Sequence, residues 1–333
     1  MKIAIIGTGS VATGNYLPVL KEIEPSAEFV YYSRGRSKVD AAVKVFGGRA
    51  CDSLAEIVAR RPDVCFVLTN EAWHYEAGLP LLEAGLPRVL FEKPLVAADG
   101  QAHVSEADFH RGRELLRIAK ARGSELAMMF NYRFFDQTLE ARRIVAERGF
   151  GRLVNVSGQV HYACWSHCID LVHLFGGAAE TITALQGTVE HEGQGIVARD
   201  VVAAFRLAEG ADGTLIGTSA MKWQHPLFEL SLTFEGGRLH MRDIDGALEV
   251  LDGANRTIER YSRVRDASRW DHYGASFRKA LSAYLNAVRA GTPAPVQGLD
   301  GLRELQFEAA LKRSITEARP VSVQTEFPLH PTA

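Results

Sequence analysis

Three residues of types that commonly bind metals fall within one short segment. Cys164, His167 and Cys168 belong to the sequence ACWSHCIDLVHLFGG, which runs from residue 163 to residue 177. On one continuous helix this spacing would bring the three side chains together, but a closed zinc site needs a fourth ligand. The two other cysteines lie far earlier, and the chain contains no CxxC pair. We therefore expect no metal site, and we interpret Cys164 and Cys168 as small buried hydrophobic residues.

Proton transfer is a second chemistry open to this segment. If Ser166 caps a helix, His167 lies in the first turn, where the positive end of the helix dipole disfavours the imidazolium form. A neutral imidazole can accept or relay a proton at physiological pH, although a histidine that only forms a hydrogen bond in the core is the alternative. Asp170 is expected in the same first turn, where the dipole stabilises a carboxylate, and we interpret it as structural.

Lys93 is the other candidate for proton transfer. It ends the apolar run RVLFEK, which predicts a parallel strand, and open α/β sheets bind ligands at the carboxyl ends of their strands. Reduction of a ketone needs a positive group beside the developing alkoxide and a proton donor, and one lysine can supply both. Pro94 prevents a helical continuation, and Glu92 either holds the lysine or packs at a domain edge. The alternative is a surface lysine at a strand end.

Regular elements must position these residues, and the first third of the sequence alternates short apolar runs with helical patterns. The runs at 2–7, 28–33, 64–69, 88–93 and 125–130 are rich in β-branched or aromatic residues and predict strands. The stretches between them carry apolar residues at helical spacing, and several end at glycine or proline. The alternation indicates an α/β fold with a doubly wound parallel sheet, formed by a first domain over residues 1–124.

The rest of the chain has a different pattern. Long alternating stretches such as RLVNVSGQVHY, DVVAAFRLAEG and FELSLTFEGGRLHM follow one another with hairpin-like turns, which predicts a large open antiparallel sheet covered on one face. Two amphipathic helices follow, separated by TPAPV. We expect residues 125–333 to form a second, α+β domain.

A glycine-rich turn follows the first predicted strand. Gly7, Gly9 and Ala12 form the GxGxxA variant of the dinucleotide fingerprint, in which the glycines allow a tight turn and close approach to a pyrophosphate. The helix that begins here directs its N-terminus at the anion. A glycine-rich turn alone is weak evidence, but its place after a first strand in a βαβ rhythm predicts a dinucleotide site. The residues expected to line it are Gly7, Thr8, Gly9, Ser10 and Val11.

The end of the second predicted strand bears on the choice of cofactor. An acidic residue there would bind the ribose hydroxyls of NAD(H), but the sequence reads YYSRGRSK. Ser33, Arg34 and Lys38 instead offer a hydroxyl and positive charges that suit a 2′-phosphate. We therefore predict NADP(H), with NAD(H) less favoured; a solvated basic loop is the alternative.

The overall composition excludes some partners. The chain has 333 residues, a formal net charge of -2 and 47% hydrophobic residues, which gives no electrostatic case for binding nucleic acid or an anionic membrane. No apolar run is long enough to span a bilayer, and the few scattered cysteines indicate reduced thiols. We expect a cytoplasmic protein.

Taken together, the motifs resemble those of the glucose-fructose oxidoreductase / inositol dehydrogenase (Gfo/Idh/MocA) family of sugar and cyclitol oxidoreductases. The resemblance covers nearly the whole chain through GTGSVA, the Ser-Arg pair, LTNEAWH, EKP, FNYRF, SHCIDL and the closing AVRAGTPAPVQGLDGLRELQ. It implies hydride transfer between nicotinamide C4 and a ring carbon, with the EKP lysine, Lys93, beside the reacting oxygen. It also implies a homodimer or homotetramer formed through the open sheet.

The resemblance implies further site residues. On the cofactor side these are Thr69, Asn70, His74, Glu92 and Lys93. On the substrate side, at the interdomain cleft, they are Tyr132, Arg133 and His167. Arg133 either binds a phosphate or carboxylate or pairs with an acid. Trp223 is a further sugar-facing candidate, with a structural role as the alternative.

One position departs from the family pattern. The family carries an Asp-x-x-x-His pair, and His167 matches the histidine, but Ala163 stands where the aspartate is expected. Proton transfer then falls to Lys93 and His167, helped by the phenol of Tyr162 or by the substrate itself. The sequence therefore predicts an NADP(H)-dependent oxidoreductase of a sugar, aminosugar or cyclitol. The alternatives are a catalytically silent NADP-binding regulator and a reductase of non-sugar carbonyls or imines.

Overall fold

The computed structural model describes residues 1–222, 226–244, 246–262 and 268–330. Over these residues the chain divides into two compact units. The first unit comprises Met1–Gly100, Ala107–Phe130 and Phe277–Leu305, and the second comprises Gln101–Glu106, Asn131–Ser276 and Gln306–Ala333.

A parallel sheet forms the centre of the first unit. Within the described residues it has six strands in the order β3-β2-β1-β4-β5-β6. The central strands are buried almost throughout, because helices cover both faces of such a sheet. The strand order reverses between β1 and β4, which is where doubly wound sheets bind ligands. The strands are β1 (Lys2–Ile6), β2 (Glu28–Tyr32), β3 (Arg49–Ala50), β4 (Val64–Val67), β5 (Arg88–Glu92) and β6 (Glu125–Met129).

Helices alternate with these strands as the sequence predicts, and the α/β fold class is confirmed. A helical turn, Ala12–Tyr16, leads from the glycine-rich loop into the first helix. Among the described residues, no helix combines the length and the apolar character needed to cross a membrane. The helices are α1 (Leu17–Ile23), α2 (Arg36–Phe46), α3 (Leu54–Ala59), α4 (His74–Glu83), α5 (Glu106–Arg122), α6 (Asp136–Glu147), α7 (Trp165–Gly176), α8 (Arg269–Ala290), α9 (Gly298–Glu317) and α10 (Val323–Glu326).

The first unit extends beyond the boundary that we place after residue 124. Strand β6 pairs with β5 and so completes the parallel sheet. Residues 277–305 also belong to this unit because Phe277 and Tyr284 of α8 are buried against its aromatic core, where Tyr284 meets Phe66 edge to face at 5.9 Å. A single boundary in the sequence therefore cannot separate the two units, because the chain comes back to the first unit at Phe277.

A second, mainly antiparallel sheet organises the second unit. In the described part of the chain it has nine strands in the order β14-β13-β12-β11-β7-β10-β9-β8-β15, and only the β7 and β10 pair is parallel. Buried and exposed residues alternate along β9, so one face is covered and the other is open, as expected. The strands are β7 (Leu153–His161), β8 (Ala179–Gly193), β9 (Ile196–Leu207), β10 (Asp212–Thr218), β11 (Phe228–Phe234), β12 (Gly237–Arg242), β13 (Leu248–Asp252), β14 (Thr257–Tyr261) and β15 (Val321–Ser322).

Candidate active site

A cavity of about 480 Å³ opens at the carboxyl ends of β1, β2 and β4. Its volume lies within the usual range for ligand sites, roughly 300–1,000 Å³. It lies at the reversal of strand order, where the fold places ligands. The residues predicted to contact a cofactor that line this cavity are Gly7, Thr8, Gly9, Ser10, Val11, Ser33, Arg34, Lys38, Thr69 and Asn70.

The glycine-rich loop has the geometry of a phosphate cradle. Gly7 has a φ of +99°, and a Cβ there would lie 2.6 Å from the backbone carbon of Leu68, so only glycine fits. A Cβ at Gly9 would meet no protein atom within 4 Å, which leaves that face of the loop open. In the described structure the buried hydroxyls of Thr8 and Thr69, both lining the cavity, have no hydrogen-bond partner. Open backbone and available hydroxyls fit a dinucleotide.

A stacked pair of side chains lies at the end of the cavity formed by β2. The Arg34 guanidinium lies 3.7 Å from the centroid of the Trp73 ring, within the range of a cation-π contact. Trp73 lines the cavity, and sequence reasoning missed it. The only indication in the sequence that Trp73 could line the site is its position in the turn after β4, between Asn70 and His74. The pair supplies an aromatic face and a positive charge where Ser33 and Lys38 also lie.

Lys93 follows β5, and hydrogen bonds fix the backbone around it. The Lys93 amide donates to Glu92 Oε2 at 2.9 Å, while the Tyr16 hydroxyl donates to Glu92 Oε1 at 2.5 Å. Desolvation raises the pKa of Glu92, and the hydrogen bond from Tyr16 is the largest opposing influence. Glu92 and Lys93 do not line the described cavity at β1, β2 and β4.

His74 does not line that cavity either. The side chain is buried at the start of α4, with Nδ1 2.8 Å from the carbonyl oxygen of Pro94 and Nε2 3.2 Å from that of Thr69. Burial lowers the pKa of His74. The imidazole thus connects the end of β4 to the segment that follows Lys93.

In the second unit, His167 lies in a buried aromatic cluster. Its ring stacks on Tyr132 with centroids 3.9 Å apart and planes within 6°. The Tyr132 hydroxyl is 3.1 Å from Cys164 Sγ, and burial raises the pKa of Tyr132 well above its usual value. Tyr132 therefore supports the histidine ring from one side.

The N-terminus of this helix differs from the expectation. Helix α7 begins at Trp165, so Ser166 lies inside it and does not cap it. The Ser166 hydroxyl forms no hydrogen bond among the described residues. His167 is still in the first turn, but Asp170 is beyond it, and our placement of Asp170 there was wrong.

An ion pair instead explains Asp170. Its carboxylate accepts two hydrogen bonds from Arg133, from Nε at 2.8 Å and Nη2 at 2.6 Å. Asp170 is 1% exposed, so the bidentate contact offsets the cost of its burial. Of the two roles considered for Arg133, the structure shows the pairing with an acid.

The other positions singled out in the sequence are Tyr162, Ala163, the two cysteines and Trp223. The Tyr162 hydroxyl donates to the carbonyl oxygen of Arg199 at 2.7 Å, and burial raises the pKa of Tyr162. Ala163 has no carboxylate, and its backbone amide donates to Nδ1 of His161 at 3.0 Å. Cys164 and Cys168 are buried, and neither forms a disulfide among the described residues. Trp223 lies outside the described residues.

The fold and the cradle define a dinucleotide-binding protein of the Rossmann class. Residues 1–129 match the family model GFO_IDH_MocA, described as "Oxidoreductase family, NAD-binding Rossmann fold". These residues, 129 of the 333 in the chain, therefore match the oxidoreductase family that the sequence resembles.

Two curated relatives and one solved structure extend the comparison. The D-glucoside 3-dehydrogenase of Escherichia coli (strain K12) is 30% identical over 169 residues, which cover 49% of this chain but only 44% of that protein. The myo-inositol dehydrogenase Hyg17 of Streptomyces leeuwenhoekii is 24% identical over 337 residues, covering 95% of this chain and 98% of that protein. An oxidoreductase from Agrobacterium radiobacter, solved with NAD+, L-tartaric acid and magnesium, shares the fold with a TM-score of 0.81 and 17% identity, over 98% of this chain and 99% of that one.

Proposed function

We propose that this protein is an NADP(H)-dependent oxidoreductase that interconverts an alcohol and a ketone on a ring carbon of a sugar, aminosugar or cyclitol. The observation that carries the proposal is the position of Lys93 at the end of β5, on the sheet edge where the cofactor cavity opens. The carboxyl ends of parallel strands share one edge, so an acid–base group and a cofactor cradle lie on the same side of the sheet. The names of the glucoside and myo-inositol dehydrogenases support this substrate class.

The choice of NADP(H) rests on charge. Ser33, Arg34 and Lys38 line the cavity beyond β2, and no acidic side chain follows that strand before α2. A guanidinium and an ammonium stabilise a 2′-phosphate, whereas a ribose hydroxyl pairs best with a carboxylate. Because the Agrobacterium oxidoreductase was solved with NAD+, the preference needs direct measurement.

Lys93 carries the proposed acid–base chemistry. A nicotinamide cofactor held in the cradle supplies or accepts the hydride. In the reductive direction, the Lys93 ammonium donates a hydrogen bond to the ketone oxygen, stabilises the developing negative charge and transfers its proton to that oxygen. In the oxidative direction, the neutral amine accepts the alcohol proton.

We propose His167 of the second unit as the other proton-transfer residue. It lies in the first turn of α7, and its stacking on Tyr132 fixes the ring plane. The predicted help of Tyr162 in proton transfer stays a prediction. Its hydroxyl donates to the carbonyl oxygen of Arg199. The substrate-side roles of Tyr132 and Arg133 are those of support and charge pairing.

The experiment compares Lys93→Ala with Lys120→Ala, a substitution of an exposed lysine in the last turn of α5. Turnover is measured with NADP+ or NADPH on a panel of cyclitols, methyl glucosides, aminosugars, nucleotide sugars and their ketones. We expect Lys93→Ala to lower kcat/KM by about 10²- to 10⁴-fold without changing the Kd for NADPH, and Lys120→Ala to match the wild type. Equal turnover in both variants would refute the mechanism.

Ala163 is the observation that favours a second candidate, a catalytically silent NADP-binding regulator. Quenching of NADPH fluorescence without turnover on any compound of the panel would support it. Turnover restricted to added imines and open-chain carbonyls would identify the third possibility, a non-sugar reductase. The presence of both Lys93 and His167, two residue types that transfer protons, favours the enzyme.

We propose that the protein forms a homodimer or homotetramer through the open sheet face. Large apolar side chains are exposed there, including Leu185 at 73%, Val197 at 50% and Val202 at 43%. Exposed apolar patches of this kind mark interaction surfaces. Light scattering of Val202→Glu should show a smaller species than the wild type, whereas Val45→Glu, at an exposed helical position, should not. A monomeric wild type would refute the proposed oligomer.

The cytoplasmic location stays a prediction.

A further inference from the structure

We infer that His74 and Tyr16 are positioning residues that hold Lys93 at its working place from opposite sides of the chain. The inference rests on the proposed function, in which Lys93 transfers the proton. Neither residue lines the cofactor cavity, so neither is explained by contact with the dinucleotide. Both instead bond to the backbone or side chain of a residue adjacent to Lys93 in sequence.

Close packing of α4 on β5 brings His74 to Lys93. A Cβ added at Gly78 would lie 2.1 Å from the Phe91 ring, so the helix backbone rests directly on the strand. His74 is four residues earlier and on the same helix face, and its ring meets Phe91 edge to face at 6.2 Å. The first turn of α4 is thereby fixed beside the end of β5.

The protonation state of His74 decides which carbonyl it holds. Burial lowers its pKa, so the ring is neutral near pH 7 and carries one N–H. Two carbonyl oxygens face its nitrogens, and the contact to Pro94 at 2.8 Å is shorter than the contact to Thr69 at 3.2 Å. We assign the proton to Nδ1, which donates to the carbonyl of the residue after Lys93.

Tyr16 acts on the other side of Lys93. Its buried ring is fixed edge to face against Phe66 and Phe277, at 6.0 and 5.3 Å. Its hydroxyl donates to one oxygen of Glu92, whose other oxygen accepts the Lys93 amide. The carboxylate is thus oriented by Tyr16 and in turn orients the lysine backbone.

This double support has a catalytic reason. A lysine side chain has four flexible carbons, so the position of its ammonium depends on how firmly the backbone is held. A displacement of about 1 Å from the reacting atom costs roughly 10²-fold in rate. Loss of one supporting hydrogen bond should therefore lower kcat more than it changes cofactor binding.

The first experiment compares two Tyr→Phe substitutions that each remove one hydroxyl bonded to a glutamate. Tyr16→Phe removes the bond to Glu92 at 2.5 Å, and Tyr75→Phe removes a bond at 2.6 Å from α4 to Glu114 of α5. The assay uses NADP+ and the panel compound that the wild type oxidises fastest. We expect kcat to fall about tenfold in Tyr16→Phe, with KM for NADP+ within twofold, and Tyr75→Phe to match the wild type.

The second experiment separates the two bonds of His74. The amide of His74→Asn can reach the position of Nδ1 and donate to Pro94, while that of His74→Gln reaches the position of Nε2 and Thr69. We expect kcat closer to wild type in His74→Asn than in His74→Gln, with equal Kd for NADPH. The reverse order would overturn the assignment of the proton.

Lys93→Ala in the same assay separates the two possible failures. If Lys93→Ala is inactive while Tyr16→Phe and Tyr75→Phe have equal kcat, the positioning role is overturned and the proposed function stands. If Lys93→Ala keeps its turnover, or the wild type is silent on the whole panel, both are overturned. Should the His74 variants fail to fold, the tyrosine pair still decides.

Discussion

The two units hold their candidate catalytic residues in different ways. Lys93 of the first unit is fixed through its backbone by neighbours in sequence, with Glu92 on its amide and Pro94 held by His74. His167 of the second unit is fixed through its ring, which stacks on Tyr132, a residue from a distant part of the chain. The sheet edge places the lysine, and side-chain packing places the histidine.

The difference also concerns charge. Arg34 and Lys38 of the first unit are exposed and line a cavity, where their charges can meet a phosphate. In the second unit, two nitrogens of the Arg133 guanidinium donate to the two carboxylate oxygens of the buried Asp170. A guanidinium near a predicted site therefore faces a cavity in one unit and pairs with a buried carboxylate in the other.

Breaking the buried ion pair tests this distinction with the largest effect on stability. Asp170→Asn leaves the Arg133 guanidinium without its carboxylate, and we expect the free energy of unfolding to fall by about 3–5 kcal/mol. The matched control is Asp212→Asn, which breaks the exposed pair between Arg206 and Asp212 and should cost below about 1 kcal/mol. Urea unfolding followed by circular dichroism measures both. Equal losses of unfolding free energy would show that the buried pair and the exposed pair contribute equally to stability.

The glycine-rich loop of the first unit sharpens the comparison further. Gly7→Ala places a Cβ 2.6 Å from the Leu68 backbone at a φ of +99°, so we expect a loss of roughly 2–4 kcal/mol of stability. Gly9→Ala meets no protein atom within 4 Å and should fold normally, yet raise the Kd for NADPH at least about tenfold. Thermal unfolding and fluorescence titration separate the two effects. Unchanged NADPH binding in Gly9→Ala would mean that the cofactor does not approach this face.

The first unit is largely predictable from sequence because its geometry repeats. Apolar runs, Gly7, Gly9 and the end of RVLFEK suffice to predict the sheet and most of the cavity lining. The two-residue β3 was missed because it leaves no periodic signal. Trp73 was missed because a turn aromatic has no defined partner until Arg34 is placed on it.

The second unit resists prediction because its contacts join distant residues. The pairing of Arg133 with Asp170 spans 37 positions, as does the bond from Tyr162 to Arg199. Neither leaves a local pattern, so the sequence left both roles of Arg133 open. Strand β8 was also missed, and a register shift between Gln186 and Glu190 interrupts its pairing with β9. The sheet type could be predicted, but the use of its side chains could not.

The stacked pair at the cofactor cavity gives a smaller, specific effect. Arg34→Ala should weaken NADPH binding by about 10- to 100-fold while changing NADH binding little, because only the 2′-phosphate loses its partner. Trp73→Ala removes a cation-π contact of about 0.5–2 kcal/mol that orients the guanidinium, and should weaken NADPH binding about 2- to 30-fold. Trp73→Phe, which keeps an aromatic face, should lie between Trp73→Ala and the wild type. Tighter binding of NADH than NADPH by the wild type would contradict the cofactor proposal.

The smallest effect is a pH dependence of stability that originates beside Lys93. Burial lowers the pKa of His74 from its ordinary value of 6.5, so below pH 6.5 the unfolded chain takes up a proton that the folded chain resists. Stability contributed by the neutral ring is therefore present above pH 6.5 and is lost as the pH falls. At about 1.4 kcal/mol per pH unit, the loss at pH 5 reaches at most about 2 kcal/mol.

The measurement compares urea unfolding of the wild type and His74→Asn at pH 7 and pH 5. His161 of the second unit is also buried with a lowered pKa and contributes to the same fall in both proteins, so only the difference between them reports on His74. We expect this difference in free energy of unfolding to shift in favour of His74→Asn at pH 5, since asparagine does not titrate. A difference that stays constant with pH would mean that folding does not lower the pKa of His74, and a shift in favour of the wild type at pH 5 would mean that an imidazolium donates to both carbonyls.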